Sequence, residues 1–305
     1  MGLLGAAMVA APGLAHGQAI DLFVERTAMM AADGRCGLFA PEVSQALAAG
    51  AAQARGTALR AGVSADKLKA AERDARGRVA RVACRSPDMT VTAERVRNAF
   101  DGYTRLARMT YPGDFAAWKA DRIPSYKVRW RLAQEARFGR DRMTFGLIGS
   151  EDAGTLMAVA RFADGAEPYG ARLVTRDTIR TWGPYLDRYY GGPTSALPLT
   201  RRVPPASAQT GYMAQTRTQA NPELLADDMK SGWAFRFPAG AIGRLSSLDP
   251  REAVVVEFLF AGGTRRAYVE VGDFAAGRAF LTAGSPKPAA PARVALQEPR
   301  SARGR

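Results

Sequence analysis

The chain has 305 residues, with 43 basic against 29 acidic side chains, 47% apolar residues, two cysteines and one histidine. The apolar fraction supplies ordinary cores, so a wholly disordered or collagenous chain is excluded, and the length suits two domains better than one. The one histidine, His16, falls in an apolar leader. A mature protein without it has no Ser-His-Asp or Cys-His triad, no histidine base, and no zinc or haem site that needs an imidazole.

Residues 2–15 carry no charge and run into the small residues Ala15, Gly17 and Ala19. Residues 1–19 are therefore expected to be a signal peptide cleaved near Gly17 or Ala19, which points to a periplasmic or secreted protein. No window reads as a transmembrane segment, because the leader is shorter than the roughly 20 residues that span a bilayer.

Asp21 can cap a helix through Ala32. Pro41 suits a first helical position, Gly62 a helix stop and Ser64 an N-cap, so two helices of similar length, Pro41–Ala61 and Ser64–Val82, form a hairpin. Cys36 and Cys84 then meet at its open end, where a disulfide would stabilise by about 4 kcal/mol through loop entropy. Thr92 is expected to cap a fourth helix carrying Val96, Phe100, Tyr103 and Leu106, and a short helix is expected over Asp114–Ala120. Residues 20–122 thus read as a helical bundle.

From residue 123 the spacing changes to alternation, with Tyr126, Val128, Trp130 and Leu132 on one face and Lys127, Arg129 and Arg131 on the other. Seven more strands are expected, at 143–148, 155–162, 171–175, 211–216, 233–237, 253–260 and 266–271, with short helices at 224–229 and 274–281. Residues 123–282 then form a mainly antiparallel β domain, a sandwich or a barrel-like sheet, and the whole is α+β. Residues 283–305, with four prolines and five basic residues, read as a disordered basic tail.

Three segments are candidates for function. The densest basic signal is Lys127, Arg129, Arg131, Arg137, Arg140 and Arg142, which can meet phosphates or carboxylates. The loop Trp182–Pro193, with Tyr185, Tyr189 and Tyr190, can offer rings to a sugar or a protein. The hairpin expected to turn at Gly262-Gly263 places Glu257 and Glu270 as diagonal neighbours if paired residue numbers sum to 525, a spacing that overlaps the two-carboxylate geometry of glycoside hydrolysis.

Ser64-Ala65-Asp66-Lys67 and Lys230-Ser231-Gly232 resemble the S-x-x-K and K-[ST]-G boxes of serine acyl-transferases of the penicillin-binding type. The box between them is missing, and Ser64 already reads as an N-cap. No cofactor, metal site or phosphate loop is implied. The expectation is a non-enzymatic exported protein that contacts an anionic envelope component or a partner protein; export makes nucleic acid an unexpected partner, which stays open only if the leader is not a signal peptide. The second reading is a histidine-free carboxylate hydrolase of envelope glycan using Glu257 and Glu270.

Overall fold

The computed structural model describes residues 12–150, 153–186, 193–226 and 229–283. The tail from residue 284 onward and most of the leader lie outside the described residues. Helices come first: α1 (Pro12–Cys36), α2 (Pro41–Arg60), α3 (Ala65–Ala80) and α4 (Pro87–Arg105). None of the described helices is long and apolar enough to cross a membrane.

The local signals act as read at α2 and α3. Pro41 opens α2, Gly62 takes the positive φ that follows it, and the Ser64 hydroxyl accepts the Lys67 N–H at 3.2 Å. Ser64 is thus a helix cap. The start of α4 differs from expectation: Ser86 caps it and Pro87 is its first residue, while Thr92 lies inside and its hydroxyl donates to the Asp88 carbonyl. The hairpin core is made of Ala19, Phe23, Ala54, Ala58, Leu59, Val63 and Leu68, and the Cys36–Cys84 disulfide closes the helical region.

The strands are β1 (Arg108–Tyr111), β2 (Trp118–Asp121), β3 (Arg129–Phe138), β4 (Asp141–Gly149), β5 (Thr155–Arg161), β6 (Gly170–Arg176), β7 (Gln209–Met213), β8 (Thr216–Gln219), β9 (Trp233–Arg236), β10 (Ala253–Phe260) and β11 (Gly263–Glu270). Helix α5 (Gly240–Ser247) precedes β10, and α6 (Phe274–Thr282) follows β11. All pairings are antiparallel, in a seven-stranded sheet ordered β1-β2-β3-β4-β5-β9-β8 and a four-stranded sheet ordered β11-β10-β6-β7. The chain changes sheets between β7 and β8, where the Ala214 N–H donates to Ala171 and the Gln215 N–H to Arg236. One core joins the inner faces of both sheets with α5 and α6.

Two local readings are corrected. The segment expected as a helix at 114–120 contains β2: Trp118 and Ala120 are buried while Lys119 is exposed, a period of two, and the Trp118 indole N–H donates to the carbonyls of Glu270 and Val271. The sheet therefore begins at Arg108, before residue 123. The alternation in β3 is broken by a bulge between Trp130 and Leu132. Leu132 pairs with Leu147 in the core, whereas Trp130 pairs with Ile148 and packs in a separate cluster on the other face of the sheet. Gly146 makes room for this irregularity, since a Cβ there would lie 1.9 Å from the Leu132 carbonyl oxygen.

Candidate functional site

The bulge redistributes the expected basic face. Arg131 is buried, and its guanidinium donates to the carbonyls of Gly149 and Ile123. Arg129 shares the Asp121 carboxylate with Arg108, and Lys127 pairs with Glu223 at 2.6 Å. These three side chains serve the fold and do not form one open surface. Arg140 stays exposed in the β3–β4 turn.

The concentration of positive charge lies further along the same hairpin. Arg137 pairs across strands with Arg142, and Arg142 with Arg161 on β5. Cross-strand partners project to the same face with Cβ atoms about 4.5–5.5 Å apart. The neighbouring row, Ala136, Met143 and Ala160, points into the core, so the three arginines occupy the outer face. Among the described residues Arg137, Arg140 and Arg161 have no ion-pair partner. Glu135, the carboxylate next along β3, is held by Lys119 at 2.9 Å. A cavity of about 430 Å³ opens beside the row and is lined by Phe115, Gln134, Arg137, Arg142, Thr144 and Tyr268.

Like charges directly opposite one another destabilise a sheet. Setting Arg137 and Arg161 on either side of Arg142 thus works against the fold, and the guanidiniums of Arg137 and Arg161 are each able to bind an oxyanion with two parallel hydrogen bonds. Arg161 escaped the sequence reading, because only the β4–β5 register shows that it joins Arg137 and Arg142.

The glutamate pair is separated. The observed register sums to 523, with Ala261-Gly262 as the two-residue turn, so Glu257 faces Arg266 and Glu270 faces Ala253. A slip of two residues keeps both on one face but sets them four residues apart, about 13 Å along the strand. Glu257 accepts from Arg172 at 2.6 Å and from Arg266 at 3.0 Å. Burial pushes its pKa up, and the two guanidiniums outweigh burial, so its carboxyl titrates below the usual range. Glu270 is fully buried and accepts the backbone N–H groups of Asp114 and Phe115 at 2.9 and 3.0 Å. Neither carboxylate is placed to work with the other as an acid and base pair.

The depressed Glu257 pKa has a stability consequence. Its contribution is present above the ordinary glutamate range and disappears as pH falls through the lower, folded-state value. Because both arginine partners are half exposed, the Glu257→Gln variant is expected to lose only about 0.5–1 kcal/mol at neutral pH. In urea unfolding that deficit shrinks as pH falls below the ordinary glutamate range; a deficit that grows on acidification contradicts the assignment.

Tyr185 is exposed at the start of its loop, next to fully exposed Trp182. Tyr189 and Tyr190 lie outside the described residues.

One buried ion pair ties α2 to the segment before α6, and others lie within the β region. Arg60, at the end of α2, donates to both Asp273 oxygens at 2.9 and 3.1 Å. Burial works against the Arg60 charge, and Asp273 more than restores it, so the guanidinium pKa rises. Arg202 is fully buried between Asp114 at 2.8 Å and Glu270 at 3.8 Å, and Arg176 pairs with Glu252 at 2.6 Å. No protein-family model, no curated protein and no solved structure matches the chain, so the arginine row and the cavity beside it are the ground on which its function is read.

Proposed function

We propose that this is an exported, non-catalytic protein that binds an anionic polymer of the cell envelope through Arg137 and Arg161, which flank Arg142, with Arg140 at the edge of the contact. The observation that carries the reading is the three-arginine row, in which like charges stand opposite one another on adjacent strands. The uncharged leader and a disulfide between the only two cysteines support an oxidising compartment outside the cytosol. Phosphate or carboxylate groups repeated along a polymer match guanidiniums repeated across strands.

Binding dominated by such contacts weakens steeply with salt. Cosedimentation with isolated envelope fractions is expected to fall as salt rises, and the Arg137→Ser/Arg161→Ser double variant should lose most of the binding seen at low salt. Salt-independent binding, or full binding by the double variant, overturns the proposal.

Export also has a specific expectation. Ala19 is buried in the hairpin core, whereas Gln18 is exposed. Of the two expected cleavage points, Gly17 leaves this core whole. Mass spectrometry of the exported protein should therefore find Gln18 at its N-terminus; a mature chain starting at Ile20 contradicts the role given to Ala19.

A further inference from the structure

A second cavity, of about 480 Å³, lies between α1, α2 and α4. Helix α4 presents Thr92, Val96, Ala99, Phe100 and Tyr103 to it at three- and four-residue steps, opposite Leu22 and Met29 of α1 and Val43 and Leu47 of α2. Helix α4 is tied at its middle and at its C-terminal end. Arg97 donates to the Leu38 carbonyl in the α1–α2 loop, and Arg122 donates to the carbonyls of Tyr103 and Thr104. The cleft is thereby held open by the fold, with a size in the range of small-molecule sites.

Its walls are apolar apart from a few groups. At the closed end Tyr111 is buried and donates to the Ala276 carbonyl, and burial raises the pKa values of Tyr103 and Tyr111, so both phenols stay neutral. On the α1 wall stands the half-buried Arg26. Its guanidinium donates to the Gly50 carbonyl and forms no ion pair among the described residues. Gly50 permits that approach, because a Cβ there would lie 3.2 Å from the Arg26 nitrogen. Burial lowers the Arg26 pKa, with Glu25 partly offsetting it, so the charge is held at a cost that an anion beside it would relieve.

We infer that this cleft binds a single-chain carboxylate amphiphile of the fatty-acid class, its chain between α2 and α4 and its carboxylate on Arg26. An apolar trough whose half-buried cation is only partly offset by the Glu25 carboxylate that also lines it fits one acyl chain with one negative head. Arg95 stands at the same cleft as a second cation. The arginine row lies on another part of the molecule and does not take part.

The test is titration of the oxidised protein with cis-parinaric acid, followed by displacement with palmitic acid and with hexadecanol. Wild type is expected to show saturable binding and to prefer the acid over the alcohol by about tenfold, the usual size of a charge-assisted contact. Ala99 is exposed at the rim, so Ala99→Trp fills the cleft without disturbing a core and should weaken binding by about tenfold or more. Arg26→Met keeps the aliphatic stem and should abolish the preference for the acid. The Arg137→Ser/Arg161→Ser variant should bind the probe like wild type, which separates this site from the envelope contact. No saturable binding to wild type, or binding unchanged in Ala99→Trp, overturns the inference; an acid preference that survives Arg26→Met overturns the placement of the head.

Discussion

Replacing Arg202 with leucine is expected to cost about 3–5 kcal/mol of stability, the loss typical of removing one partner of a buried ion pair. Arg202 is fully buried, donates to the Leu197 carbonyl at 2.8 Å, and lies 5.0 Å from the Phe115 ring centroid. Without it, Asp114 and buried Glu270 lose the cation they share and keep only the longer-range field of Arg60. The effect should therefore depend on Glu270. Adding Glu270→Gln to Arg202→Leu removes one of the uncompensated charges, so the double variant should be more stable than the sum of the two single losses implies. Urea unfolding of the four proteins at neutral pH measures this coupling. Additive losses, or an Arg202→Leu loss below about 1 kcal/mol, would show that the cluster is not a unit.

The Cys36→Ser/Cys84→Ser variant is expected to lose about 4 kcal/mol, from release of a cross-link between residues 48 apart. The loss falls on the helical region, whose packing is thin. Helix α3 buries only Leu68 and Ala75, and four of the seven buried residues in the hairpin core are alanine or valine. Arg35, one residue before Cys36, donates to the carbonyls of Ala80 and Val82, so the same end of the hairpin also loses its hydrogen bonds when the chains part. Hydrogen exchange should report loss of protection across α3, while β10, which lies in the main core, keeps most of its own. Equal loss in both places would mean that the helices and the sandwich unfold as one cooperative unit.

The parts of this fold that were legible in the sequence are those set by local chemistry. Proline, glycine and serine marked the hairpin ends, and its geometry brought the two cysteines together. Alternation of apolar residues found every long strand. What escaped were features that depend on partners distant in sequence. Thr216–Gln219 is wholly polar and exposed at a sheet edge, so β8 has no apolar signal. Trp-Lys-Ala-Asp at β2 does alternate, but four residues are too few to outweigh the helical spacing of Phe115 and Trp118.

The candidate site was less legible for a related reason. One bulge at Arg131 reverses the facing of every residue before it relative to those after it, which is why Lys127 and Arg129 do not continue the row formed by Arg137. Moving the β10–β11 turn one residue earlier shifts the pairing by two and separates Glu257 from Glu270. Charge in the sequence also does not reveal burial. Arg60, Arg176 and Arg202 are interior ion-pair residues, and nothing local distinguishes them from the exposed Arg137 and Arg161.

The arginine row makes the most direct demand on experiment, because folding and binding should respond to it in opposite directions. Arg137→Ser relieves repulsion with Arg142 and is expected to raise stability by about 0.2–1 kcal/mol. The same change removes one of the guanidiniums offered to the polymer. Measuring the urea midpoint and the low-salt affinity for envelope fractions on one preparation of this variant tests both together. The account predicts a protein that is more stable and binds more weakly. A variant that is less stable, or that binds as well as wild type, would contradict it.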